Sequence, residues 1–155
     1  MIKRQAGFTL MELMVVIAII AILSGIAIPN AITWRNNAQV SSAARGLYSD
    51  LQNAKSMAIK ENRTCTISFD DSGRGSYTIS MANKADKTVN ISIYGPVSIS
   101  NIDFNGASEI TFRSDGFAYT NTTPPLLRGG SVDFQGSTNL RVVVTPTGNI
   151  RIQGI

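Results

Sequence analysis

Between Phe8 and Ile28 the chain runs 21 residues with a single charge, Glu12, and then meets Pro29. As a helix this stretch extends about 31 Å at 1.5 Å per residue, close to the hydrocarbon thickness of a bilayer. Lys3 and Arg4 precede it. Positive charge on that side places the N-terminus in the cytoplasm and the rest of the chain across the membrane.

Three readings account for such a segment. A secretory signal needs a basic start, an apolar core and a small-residue cleavage site, for which Ser24-Gly25-Ile26-Ala27 qualifies. Against it, the run is long and Gly7 precedes it. A plain anchor explains length and basic flank but leaves Glu12 without a role. A carboxylate at the bilayer centre costs about 2.5–3.5 kcal/mol, and intramembrane acids are usually functional. The third reading gives Glu12 a partner.

Gly7-Phe8-Thr9-Leu10-Met11-Glu12-Leu13, after a short basic leader and before an apolar helix, resembles the class III signal of type IV pilins and type II secretion pseudopilins. The resemblance implies that a prepilin peptidase cuts between Gly7 and Phe8 and methylates the new Phe8 amine. It also makes Pro29 a helix-bending proline. The physics is compatible. Glycine lets an extended backbone enter a protease closely. Cleavage there keeps the anchor and creates an amine four residues from Glu12, free to meet Glu12 of a neighbouring subunit and set axial register. Removing one partner of a buried pair strands a charge, at a cost of about 3–5 kcal/mol. Glu12 resting in the headgroup zone is the bland alternative.

Beyond Pro29, Val40, Ala44, Leu47, Leu51, Ala54 and Ala58 recur at spacings of four and three, one apolar stripe at helical period. A long helix is expected over Phe8–Glu61, with Asn62 as its end signal, bent at Pro29 and loosened at Gly25. Strands are expected at Thr64–Phe69, Ser76–Met81, Thr88–Tyr94, Val97–Ile102, Glu109–Phe112, Ser131–Phe134, Leu140–Thr145 and Asn149–Gln153. The last two form a hairpin across Pro146-Thr147-Gly148, and Phe117–Gly130 reads as the longest loop. The fold class is therefore α+β, a long N-terminal α-helix, its first half transmembrane, packed on one or two antiparallel β-sheets. The domain division is a cleaved leader at 1–7, a transmembrane and filament-core helix at 8–29, and a periplasmic α+β domain at 30–155.

The second half narrows the resemblance. Ala54–Arg63 leading directly into a strand, Phe112-Arg113-Ser114-Asp115-Gly116, and Leu140–Gly148 are similar to the GspH/FimT branch of minor pseudopilins and pilins. Turn geometry alone also accounts for Gly116 and Gly148. DNA-binding members of that branch resemble one another in a Gly-Arg-x-Arg motif. Here the matching positions read Gly148-Asn149-Ile150-Arg151. Arg151 remains, with Arg141 and Arg128 as cations that could gather beside it for weak DNA contact. Fewer cations neutralise fewer phosphates, so solvated strand-edge charges are the favoured reading and DNA binding is possible but not favoured.

Composition removes other classes. The 155 residues contain no histidine and one cysteine, which excludes Ser-His and Cys-His catalysis, His-ligated metals, an internal disulfide and a Cys-cluster zinc site. Charged residues are 15% of the chain and the formal charge is +4. Cys65 reads as a buried structural thiol, Asp70-Asp71 as a turn lacking EF-hand spacing, and no phosphate loop occurs. Trp34 suits a membrane interface or ordinary packing equally. The expected function is a minor pilin or pseudopilin of a type II secretion pseudopilus or type IV pilus, with no enzyme activity, cofactor or metal. The alternatives are a FimT-like DNA-uptake pilin and a major pilin; major pilins often carry a disulfide that one cysteine cannot form. The implied partners are the prepilin peptidase, other pilin or pseudopilin subunits, the inner-membrane assembly platform, and membrane lipid before assembly.

Overall fold

Thr9 begins the first element. Its Oγ1 accepts from the backbone N–H of Glu12 (3.2 Å), satisfying one of the four donors a helix start leaves open. Helix α1 follows over Leu10–Glu61, two residues short of the expected start because Thr9 is its cap. The computed structural model describes residues 8–70, 75–120 and 126–155, and the chain divides into two units between Arg35 and Asn36.

In the first unit the helix is bare. Its most apolar window, long enough to cross a membrane, has no buried residue, and Phe8, Met11, Ile22 and Ile26 are all exposed. The helix assignment continues through Pro29. Proline supplies no N–H, and its own carbonyl accepts from Thr33 Oγ1 (3.2 Å). Trp34 is 74% exposed, so packing among the described residues does not account for it.

The second unit has its own core. From α1 it takes Val40, Ala43, Ala44, Leu47, Leu51, Ala54 and Ala58, the stripe read from the sequence with Ala43 added. Burying side chains the size of Leu47 or Leu51 contributes about 1.5–3 kcal/mol each. The end at Asn62 is a Schellman motif. Asn62 has φ of 52°; its N–H reaches Ile59 O (3.4 Å), and Arg63 N–H reaches Ala58 O (3.1 Å).

Among the described residues ten strands follow: β1 Cys65–Phe69, β2 Ser76–Met81, β3 Lys87–Asn90, β4 Ser98–Asp103, β5 Glu109–Phe112, β6 Ala118–Thr120, β7 Leu126–Leu127, β8 Gly130–Gln135, β9 Leu140–Val144 and β10 Ile150–Gly154. They form two sheets, ordered β3-β2-β1-β5-β6-β7 and β10-β9-β8-β4, with every pairing antiparallel. Alternation places Cys65, Ile67 and Phe69 in the core. The opposite face of the six-stranded sheet carries hydroxyl pairs across strands, Thr66 with Thr111 (2.9 Å) and Thr78 with Thr88 (3.0 Å).

Two expectations need correction. The strand expected over Thr88–Tyr94 stops at Asn90, and Ile91–Tyr94 is a 3-10 turn. Asn90 Oδ1 accepts from the Ser92 N–H (3.0 Å), which offers the backbone a cap in place of the ladder. The expected loop Phe117–Gly130 contains β6 and β7, with Thr120 paired to Leu126 and Tyr119 to Leu127. The turn-rich composition concealed strands of three and two residues. Pro124-Pro125 and Asp71 lie outside the described residues.

Tyr77, buried on β2, donates to Asp50 Oδ2 of α1 (2.7 Å), and Lys87 Nζ donates to Asp50 Oδ1 (2.9 Å). Burial, then the Asp50 hydrogen bond and charge, pushes the Tyr77 phenol far above its ordinary value. One helical carboxylate thus holds two strands. Five residues further along α1, Lys55 Nζ donates to Gly148 O (2.8 Å), and Ala118 N–H donates to Pro146 O (3.0 Å). That second bond joins a strand of one sheet to the hairpin of the other.

Candidate functional site

Two places bear on function: the N-terminal start of α1 and the outer face of the four-stranded sheet. Gly7, Lys3 and Arg4 lie outside the described residues. Phe8 is 88% exposed and immediately precedes the cap. Glu12 is exposed in the first turn of α1, where the partial positive charge of the helix start favours a carboxylate.

The second place is built by strand register. Arg151 on β10 pairs with Val143 on β9, Val143 with Ser131 on β8, and Arg141 with Asp133. Arg141 and Arg151 are therefore diagonal neighbours on one face, about 7–8 Å apart across the two strands. Arg128 arrives from the segment between β7 and β8. All three line one groove of about 660 Å³, with Asp103, Leu127, Val143 and Pro146 among its walls.

The three guanidinium groups are not equivalent. Asp133 is 5% exposed and holds Arg141 in a two-pronged bond, Nε to Oδ1 at 2.6 Å and Nη2 to Oδ2 at 2.7 Å. That bond, then Asp133's charge, raises the Arg141 pKa, and the fork geometry fixes the plane of the guanidinium. Arg128 and Arg151 are exposed and have no ion pair or side-chain hydrogen bond among the described residues. The structure thus brings together the three arginines singled out in the sequence. It also corrects the strand-edge reading of Arg141, which sits on β9 between β8 and β10 and is paired. Asp133 and Asp103 escaped the sequence reading. Alternation in Ser131–Phe134 sets Asp133 opposite Val132 and Phe134, but its place beneath Arg141 depends on the register between strands.

Gly116 and Gly148 do more than turn the chain. Both have positive φ, 78° and 72°. A Cβ on Gly148 would overlap the Gly116 carbonyl and press on Lys55 Nζ. Cys65 is fully buried, and desolvation raises its thiol pKa. Among the described residues no group of three or more His, Cys, Asp or Glu is placed to hold a metal ion.

A family model described as type II transport protein GspH matches residues 43–148. The chain belongs to the GspH family. A second model, the prokaryotic N-terminal methylation motif, matches residues 2–28. The type IV major pilin protein PilA of Myxococcus xanthus (strain DK1622) is 43% identical over 60 residues, 39% of this chain and 27% of that protein. A fimbrial protein of Pseudomonas aeruginosa is 46% identical over 61 residues, 39% of each chain. The match therefore spans well under half the length of these curated relatives. Among solved structures, the type IV minor pilin FimU of Pseudomonas aeruginosa aligns with a TM-score of 0.59 at 16% identity, over 76% of this chain and 90% of that one. The minor pseudopilin EpsH from the type 2 secretion system of Vibrio cholerae aligns at 0.58 and 13% identity, over 75% and 97%. At these identities the likeness is one of fold alone.

Proposed function

We propose that this GspH-family chain is a minor pilin or pseudopilin, a structural subunit of a type II secretion pseudopilus or a type IV pilus. The observation that carries the reading is the coexistence, in one chain, of the N-terminal methylation motif over residues 2–28 and the GspH match over 43–148. A helix that leaves its first unit uncovered while the second unit has a complete core agrees with it. The protein is a subunit and not an enzyme. It is anchored in the inner membrane by its single N-terminal helix, with the C-terminal domain in the periplasm.

Prepilin peptidase removes residues 1–7, cutting between Gly7 and Phe8, and methylates the Phe8 amine. Residues 8–29 then form the membrane-spanning and filament-core helix, bent at Pro29, ahead of the periplasmic domain 30–155. Membrane lipid covers the helix before assembly and neighbouring subunits cover it afterwards, with transfer through the inner-membrane assembly platform. Glu12 pairs with the Phe8 amine of an adjacent subunit. Desolvation in the fibre makes that pair selective, because a subunit without its acid leaves a buried amine unpaired.

Two measurements test this. Intact mass of the cellular protein should give a chain starting at N-methylated Phe8; a mature start after Ala27 would make the segment an ordinary secretory signal. Glu12→Leu should insert into the membrane normally yet fail to enter filaments, and unchanged incorporation would remove Glu12 from the assembly step.

A further inference from the structure

The groove on the four-stranded sheet has a composition that selects among anionic partners. Arg128 and Arg151 offer exposed guanidinium groups. Arg141 also faces the groove but is neutralised by Asp133. Asp103, whose Oδ1 accepts from Asn105 N–H (3.0 Å), adds a negative charge to the same wall. The same groove is lined by Leu127, 47% exposed, with Val143 and Pro146.

From this we infer that the groove docks an acidic, apolar-containing peptide segment of an adjoining filament subunit. The inference rests on the subunit reading above. A segment with carboxylates spaced by apolar residues would set its acids on Arg128 and Arg151, where planar guanidinium groups bind carboxylates through paired hydrogen bonds. Its apolar side chains would cover Leu127 and Val143. Asp103 would accept a backbone N–H from the incoming segment. Nucleic acid fits less well. A phosphate chain carries a charge at every step, whereas the groove supplies two uncompensated cations and one carboxylate. Two neutralised phosphates give a slope of only about −2 in log affinity against log salt, too shallow for tight binding at physiological salt.

The test uses the full mature chain in detergent micelles and three probes: a labelled peptide alternating Glu with Val, its Gln-for-Glu counterpart, and a DNA duplex of mixed sequence. Anisotropy at physiological salt should show binding of the acidic peptide alone. Arg128→Gln and Arg151→Gln should each weaken it about tenfold, the loss of one charge-assisted pair, with near-ultraviolet circular dichroism unchanged. Failure to bind the acidic peptide, equal binding by the Arg128→Gln/Arg151→Gln double variant, or tighter binding of DNA than of peptide would overturn the inference. The Glu12→Leu incorporation experiment separates the two levels. If incorporation depends on Glu12 but the peptide does not bind, the groove assignment falls and the subunit reading stands. If incorporation ignores Glu12 and the mature chain starts after Ala27, the subunit reading falls, and with it the identity of the groove's partner, whatever the peptide does.

Discussion

Replacing Gly148 with alanine isolates what holds the β9–β10 hairpin against the rest of the domain. Three effects act together. A non-glycine residue at φ of 72° costs about 1–2 kcal/mol for the left-handed conformation. The added methyl overlaps the Gly116 carbonyl, and overpacking of this kind costs about 1–3 kcal/mol. The shift needed to relieve it disturbs the Lys55 bond to Gly148 O. Alanine's lower entropy in the unfolded chain returns about 0.4–1 kcal/mol. The net expected loss is about 3 kcal/mol. Gly106 is the control: its φ is 89° and nothing lies within 4 Å of the place an added methyl would occupy, so Gly106→Ala should lose only about 1 kcal/mol, the conformational share. At about 4 °C per kcal/mol for a domain of this size, the melting temperature should fall about 12 °C for Gly148→Ala and about 4 °C for Gly106→Ala. All four tyrosines lie beyond residue 47 and the one tryptophan, Trp34, is exposed in the first unit, so the tyrosine bands of the near-ultraviolet circular dichroism, followed in detergent in a Trp34→Phe background, report the second unit. Equal losses for the two variants would refute the argument that close approach to Gly116, and not backbone conformation alone, requires glycine at 148.

Further perturbations give distinct outcomes. The unfolded Tyr77 phenol ionises near pH 10, whereas burial and Asp50 hold the folded one protonated well above that. The folded state retains a proton that the unfolded state releases, so this contribution is complete below pH 10 and declines as pH rises beyond it. Tyr77→Phe should flatten the alkaline decline measured by urea unfolding, and at neutral pH should lose about 1.5–3 kcal/mol, the worth of a hydrogen bond to a charged acceptor. Arg141→Ala strands the buried Asp133 carboxylate and should lower the melting temperature by several degrees, while Asp133→Ala in the same chain restores part of the loss; additive losses would mean the pair is not coupled. Cys65 should resist a thiol reagent in the folded protein and react on denaturation, and immediate labelling would contradict its burial.

The long helix was legible because its determinants are local. The stripe from Val40 to Ala58 and the end signal Asn62 act within a few positions of sequence, whereas the Thr9 cap, equally local, is absent from the sequence expectation, which starts the helix two residues early. Strands with clean alternation, such as Cys65–Phe69, were equally plain. Strands β6 and β7 were not, because three and two residues carry no periodicity and exist through pairing with Phe112 and with each other. The groove shows the same limit. Arg128, Arg141 and Arg151 could be named one by one, yet their convergence and the burial of Asp133 depend on register between β8, β9 and β10, which no short stretch of sequence contains.

The hydroxyl pairs Thr66–Thr111 and Thr78–Thr88 have a consequence for a chain so sparing of charge. They set water-holding groups without formal charge along the β1–β5 and β2–β3 seams of one flank of the six-stranded sheet, beside Glu109, which accepts from Ser68 Oγ (3.2 Å) on the same face. The hydroxyl pairs keep their hydration across acid and alkaline media and across dilute and concentrated brine. Anything packed on them meets neither titration nor Debye screening there, and meets both at Glu109.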